Sequence, residues 1–240
     1  QADVGRSWRE PAATFRINTV GAVNLLESIR RICPKAGVLL IGSSDEYGVL
    51  GDKGENVRED MPVQPRSPYA VSKKAQEDTG MLYARAYGMR VMATRSFNHG
   101  GAGQREGFLF PDFAAGIVRV ENGEREDMPV GNLDAKRDFT HVKDVVRAYR
   151  LLMEKGESGE VHNVGSGQVR PVREILDQLI EMSGVQVKVR IDPARNRPSD
   201  TPVIRCDNTK LGRATGWQPE YSVRDILEDV LRDCRERMKK

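Results

Sequence analysis

Tyr69 and Lys73 stand four residues apart in the string Ser67-Pro68-Tyr69-Ala70-Val71-Ser72-Lys73. On a helix that spacing puts both side chains on one face, about 6 Å apart. A free phenol, with a pKa of about 10, is a poor acid-base group at neutral pH. A cation on the same face favours its ionised form and suits it to exchanging a proton with a reacting oxygen. One such pair proves little, since chance supplies roughly 0.3 of them in a chain of this composition. Context adds to it: Gly42-Ser43-Ser44 lies about 25 residues upstream, where a branched apolar run ends. A hydroxyl there and the Tyr69/Lys73 face can converge on one carbonyl oxygen.

The elements that must position these groups follow from periodicity. Residues 11–32 carry apolar side chains near helical spacing behind Pro11, and Pro34 and Gly37 stop the helix. Residues 38–41, Val-Leu-Leu-Ile, read as a buried parallel strand. Residues 48–67 lack any period and are expected to form a long loop. Residues 68–87 read as a helix ended by Gly88, and residues 89–94 as a second buried strand. Helix, strand, helix, strand in this order predicts an α/β fold with a right-handed parallel sheet. Beyond it, residues 99–137 are expected to be loops around one amphipathic helix at 110–121. Helices at 142–155, 172–183 and 223–238 and strands at 161–164 and 185–191 complete the reading.

Composition excludes several classes. The 240 residues hold 38 Lys or Arg against 35 Asp or Glu, a net charge of +3, and no basic cluster that would suggest a nucleic-acid partner. The longest strand-like apolar run is far short of the roughly 18 residues of a membrane span, and no stretch reads as a secretory signal. Cys33, Cys206 and Cys234 are odd in number and scattered, which argues against a disulfide framework and suits a reducing, cytoplasmic compartment. The three histidines, His99, His141 and His162, lack metal-ligand spacing, so no metal is expected.

In order along the chain, NTVGAVNLLESIR, the strand with its Ser-Ser, SPYAVSK, TRSFNHGGAGQ, VGNLDAKRDFTHVKDVVRAY, HNVGSG and RPSD resemble the extended short-chain dehydrogenase/reductase family, whose members act on nucleotide sugars. The resemblance implies that Tyr69 exchanges the proton at the substrate oxygen, that Ser44 hydrogen-bonds that oxygen, and that Lys73 also touches the nicotinamide ribose, with Ser43 beside the cofactor. It implies substrate contacts for Asn98, Asn132, Arg137, Arg197 and Asp200, the two arginines offering forked donors to a diphosphate.

The strings at 98–101, 130–134 and 197–200 look most like the branch using GDP-linked sugars. Two activities compete there. Reduction of the 4-keto group of a GDP-6-deoxy-4-keto-hexose to GDP-D-rhamnose needs only Ser44, Tyr69 and Lys73. Dehydration of GDP-mannose needs a further carboxylate, and Ser44-Asp45-Glu46 resembles the dehydratase triplet, which makes Glu46 a candidate. Here, however, Glu46 abuts Tyr47-Gly48, the shorter spacing of the reductase, which the resemblance therefore favours.

A Gly-rich turn for NAD or NADP is found nowhere in the 240 residues, and the resemblance places it upstream of Gln1. The expected architecture is therefore a Rossmann-like parallel sheet lacking its N-terminal part, with one buried sheet edge uncovered. Residues 1–98 are expected to form the dinucleotide-binding domain, completed by 138–168, and residues 99–137 and 169–240 a smaller α/β sugar-nucleotide domain. One reading is an enzyme with further N-terminal sequence, the other a sugar-nucleotide-binding module that cannot hold NAD(P) alone. Family analogy also implies a homodimer through the helices at 11–32 and 69–87.

Overall fold

The structure, a computed structural model, describes residues 1–48, 56–195 and 203–239. The chain opens with α1 (Val4–Arg9), α2 (Pro11–Phe15) and α3 (Gly21–Ile32), the last two joined by one π-helical turn, Arg16–Val20. β1 (Val38–Ser43) runs into a 3₁₀ turn, Ser44–Tyr47, and β2 (Asn56–Val57) precedes the long helix α4 (Pro68–Tyr87). There follow β3 (Val91–Ser96), β4 (Asn98–Gly100), α5 (Leu109–Glu121), β5 (Asp127–Val130), β6 (Lys136–His141), α6 (Val142–Lys155) and β7 (Val161–Val164). The last stretch holds β8 (Val169–Pro171), α7 (Val172–Ser183), β9 (Lys188–Ile191), β10 (Val203–Cys206), α8 (Thr209–Thr215) and α9 (Val223–Met238).

β1, β3 and β7 form a parallel sheet in that order, Val38 opposite Val91 and Ala93 opposite Val161. Every residue of the central strand β3 is buried, as a parallel strand covered on both faces must be. On one face α3 and α4 pack Leu26 and Met81 against Leu40 and Val91. On the other, α6 and α8 bring Val145, Leu152 and Leu211, with Trp217 just beyond, against Val164. The result is the three-layer, parallel-sheet α/β fold expected from the sequence.

Local chemistry fixes α4, the helix that carries the candidate phenol. The Ser67 hydroxyl accepts the Ala70 N–H at 3.1 Å, Pro68 occupies the first turn, and Gly88 closes the helix in the left-handed region at φ 64°. Midway, Gly80 lets α4 approach the sheet: a Cβ there would lie 2.1 Å from Leu40 Cδ1.

A second sheet orders β2-β10-β6-β4, all parallel, with β8 antiparallel on β6, and β5 pairs β9 separately. β10 thus ties the late chain to β2 on one side and β6 on the other. Asp138 on β6 stitches three segments, accepting from Ser166 N and Oγ, Gly167 N and Cys206 N at 2.9, 2.6, 2.7 and 3.1 Å. Around these sheets α5, α7 and α9 close a second core with Phe110, Ile117, Leu176 and Ile226.

The sequence reading needs correction at its short elements. The loop expected at 48–67 contains β2, and the stretch 99–137 contains β5 and the start of β6. The strand expected at 185–191 starts only at Lys188, and the one at 89–94 lies two residues later. Strands of two to four residues show no period of their own, because partners distant in sequence supply their hydrogen bonds. The helix at 11–32 is interrupted because one extra residue in the π turn re-phases it and turns Asn18 inward, where its amide donates to Ser72 Oγ at 3.0 Å.

Candidate active site

The site starts at the carboxyl end of β1. Ser43, extended, caps the 3₁₀ turn: its hydroxyl accepts the Asp45 N–H at 3.2 Å, while Glu46 Oε1 accepts the Ser43 N–H at 2.7 Å. This reciprocal capping box fixes the Ser-Ser-Asp-Glu turn. Against it, the first two turns of α4 deliver Tyr69, 7 % exposed, and Lys73. The Lys73 ammonium donates to the Ile41 carbonyl at 2.7 Å and to Gln76 Oε1 at 3.2 Å. An ammonium carries three donors, so one proton is left for a ligand.

These groups share a cavity of about 390 Å³ lined by Ser43, Ser44, Asp45, Tyr69, Lys73 and Asn98 among others. It lies beyond the carboxyl ends of β1 and β3, where open α/β sheets bind ligands. A second cavity of about 370 Å³ adjoins it, holding Asn132 and the largely buried Arg137 among Phe108, Val130 and Leu133. Asn98, Gly107 and Phe108 line both, so a long ligand can lie across the pair. The structure thus brings together Ser43, Ser44, Tyr69, Lys73 and Asn98, with Asn132 and Arg137 at the far end. Arg197 and Asp200 lie outside the described residues. Glu46 is fully buried behind the turn and lines neither cavity.

Burial dominates the electrostatics of the site. Burial, then the charge of Asp45, raises the Tyr69 phenol above its ordinary range, and only the neighbouring Ser43 hydroxyl pulls it back. The Lys73 ammonium is bound to the Ile41 carbonyl and is itself lowered by burial. Glu46 is pushed up to about 8 by burial and the adjacent charge of Glu77, against the pull of the Ser43 N–H and Arg95.

A family model described as GDP-mannose 4,6 dehydratase matches residues 1–230. The chain belongs to the GDP-mannose 4,6 dehydratase family. It is thereby a member of the extended short-chain dehydrogenase/reductases. The GDP-6-deoxy-D-mannose reductase of Pseudomonas aeruginosa is 35% identical over 240 residues, covering 100% of this chain and 79% of that one. A GDP-mannose 4,6-dehydratase of Sinorhizobium fredii is 26% identical, covering 97% and 72%. The solved structure of RMD from Pseudomonas aeruginosa complexed with NADPH matches at TM-score 0.93 and 34% identity, over 98% of this chain and 79% of that one.

Sequence reasoning passed over several residues that this family member brings to the site. Asp45, Ser96, Gln104 and Phe108 line the first cavity. Asp45 carried no signal beyond its place in the Ser-Ser turn, whereas Gln104 and Phe108 come from a segment whose path only β4 and α5 decide. Arg95 was legible in principle: a cation inside a six-residue buried strand demands a buried partner. It finds Glu77, with Nε to Oε2 at 2.8 Å and Nη2 to Oε1 at 2.7 Å. Asp138, an obvious ion-pair neighbour for Arg137 in sequence, faces away along the strand and holds backbone donors instead.

A larger groove of about 860 Å³ runs beside β7, but it shares no residue with either cavity. Its wall pairs its own charges, Lys210 with Glu160 and Arg58 with Asp60. Among the described residues no group of three His, Cys, Asp or Glu could hold a metal ion, and no helix is long and apolar enough to cross a membrane.

Proposed function

We propose that the chain reduces the 4-keto group of a GDP-6-deoxy-4-keto-hexose, giving GDP-D-rhamnose, with NADPH or NADH as reductant. The observation that carries this reading is the position of Glu46. A dehydratase needs acid-base carboxylates in the cleft to remove water, and the carboxylate that the sequence offers for it is turned inward to cap Ser43. The 35% identical reductase supports the same reading.

In this scheme the Tyr69 phenol donates its proton to the 4-oxygen as that carbon is reduced. The Ser43 and Ser44 hydroxyls lie along the cavity to hold the oxygen in place; Ser43, closer in electrostatic effect on the phenol, joins Ser44 in this role. The donors present, a phenol, an ammonium proton and a hydroxyl at the carboxyl end of parallel strands, fit the nicotinamide ribose, with Tyr69, Lys73 and Ser43 as the holding residues. Bound there, the reduced nicotinamide supplies the hydride. Asn98, Asn132 and Arg137 take the nucleotide diphosphate end, with Arg137 presenting a forked donor to phosphate.

Asp45 keeps the dehydratase as a second reading, because its carboxylate does line the cavity. The two separate in one assay. Incubation with the 4-keto sugar and NADPH or NADH is expected to oxidise the cofactor, and GDP-mannose alone is expected to give no 4-keto product. Keto-sugar formation from GDP-mannose without added reductant would reverse the assignment.

We also infer a homodimer. Ile17, Val20, Leu25, Leu82 and Tyr87 are all about half exposed on neighbouring helices α3 and α4 and the π turn before them. Isolated exposed apolar residues are ordinary, but a contiguous group of this kind marks an interface.

A further inference from the structure

Glu46 is fully buried, yet only one of its oxygens is hydrogen-bonded. Oε2 has no hydrogen-bond partner and stands 3.9 Å from Arg95 Nε. The Arg95 fork is already closed on Glu77, and the guanidinium lies over the Tyr47 ring at 4.7 Å. Two carboxyls therefore share one arginine, an arrangement in which a buried site resists holding both as anions. The geometry is built for this carboxyl: a Cβ on Gly42 would lie 2.5 Å from Glu46 Oε1 and 2.3 Å from the Thr94 carbonyl, so glycine makes the room.

The same carboxyl sits directly beneath the reacting groups. It holds the backbone of Ser43, its charge is felt by both Lys73 and Tyr69, and the Lys73 ammonium is anchored on the Ile41 carbonyl two residues before Ser43. The charged and titratable groups that act with it are Tyr69, Lys73 and Glu77 on α4 and Arg95 on β3; beyond them Lys74 pairs with Glu77, and Arg95 also reaches the Glu59 carbonyl and the Tyr47 ring.

We propose that Glu46 is a positioning residue that acts through its proton: neutral, it lets Tyr69 give up its proton to the substrate, and ionised, it holds that proton back and slows reduction. The inference rests on the reductase reading above. No bond is made to Glu46. When its carboxyl ionises, the added negative charge disfavours the tyrosinate that forms as Tyr69 delivers its proton, and at the same time favours the Lys73 ammonium. Burial and the Glu77 charge place the switch near neutrality, at about 8.

The test is the pH dependence of kcat for keto-sugar reduction in the wild type and in Glu46→Gln, which keeps the shape and the acceptor for Ser43 but cannot ionise. The wild-type kcat is expected to fall through about pH 8, and the variant to lack that limb, so that at about pH 9 the variant turns over roughly tenfold faster relative to its own plateau. The KM for the keto sugar is expected to stay unchanged. Parallel profiles would overturn the proposal. Should Glu46→Gln fail to fold, infrared difference spectra of the wild type decide: a buried carboxylic C=O band present at about pH 6 and lost by about pH 9 supports it, and a carboxylate at both values overturns it. If the protein does not reduce the keto sugar, the reductase reading fails, while the infrared titration still reports on Glu46.

Discussion

Tyr69 and Glu46 show how two neighbouring side chains receive opposite tasks from their surroundings. Tyr69 faces a cavity, so its proton can reach a ligand; Glu46 faces Arg95 and the backbone of Ser43, so its proton can only be felt. Tyr69→Phe is expected to lower kcat by at least about 10²-fold, the usual worth of a general acid, while the melting temperature stays within a few degrees. Retained turnover would remove Tyr69 from the chemistry. For Glu46 the linkage to stability has a definite sign. Its carboxyl is raised from 4.5 to about 8 in the fold, so the folded chain binds this proton more tightly than the unfolded one. The stability it lends is complete below about pH 4.5 and is lost as pH rises through about 8. Calorimetric melting between those values should show a steeper loss for the wild type than for Glu46→Gln; equal slopes would mean that the carboxyl is already ionised.

At the scale of elements, α4 is both the carrier of the site and a wall of the core, and Gly80 is where the two requirements meet. Helix propensity alone favours alanine at such a position by about 0.5–1 kcal/mol. Packing opposes it, since the new Cβ would lie 2.1 Å from Leu40 Cδ1 and 3.2 Å from Val91 Cγ1. Overpacking of this kind costs about 1–3 kcal/mol, so Gly80→Ala is expected to be net destabilising in urea unfolding. A raised midpoint would show that Leu40 rotates aside. The legibility of the elements follows the same division. α4, α6, α7 and α9 stand at the ends predicted from sequence because capping residues and apolar periodicity lie within each segment. β2 and β10, of two and four residues, depend on each other across roughly 150 positions and leave no local signal.

For the whole molecule, the parallel sheet of β1, β3 and β7 ends where Ser43 and Ser44 meet Tyr69 and Lys73 of α4, and Arg137 on β6 with Asn132 in the connection before it lines the adjoining cavity. Asp138 on β6 fastens the two sheets by accepting from Ser166 and Gly167 just after β7. The exposed apolar side chains of α3 and α4 carry the proposed dimer. Sedimentation equilibrium is expected to give twice the chain mass for the wild type. A Leu25→Glu, Leu82→Glu double variant, which keeps both cores intact, is expected to sediment as a monomer; a monomeric wild type would dismiss the interface.

The order of motifs in the sequence determined the α/β class, the family, and the placement of Tyr69 and Lys73 on one helix, because each rests on residues a few positions apart whose geometry a single helix or turn dictates. Only the tertiary structure decided that Glu46 turns inward, that Lys73 reaches the Ile41 carbonyl, and that Asn98 joins two cavities into one cleft. Those outcomes depend on Arg95, Glu77 and β6 arriving from distant parts of the chain, and a buried charge takes its role from whatever the fold brings beside it.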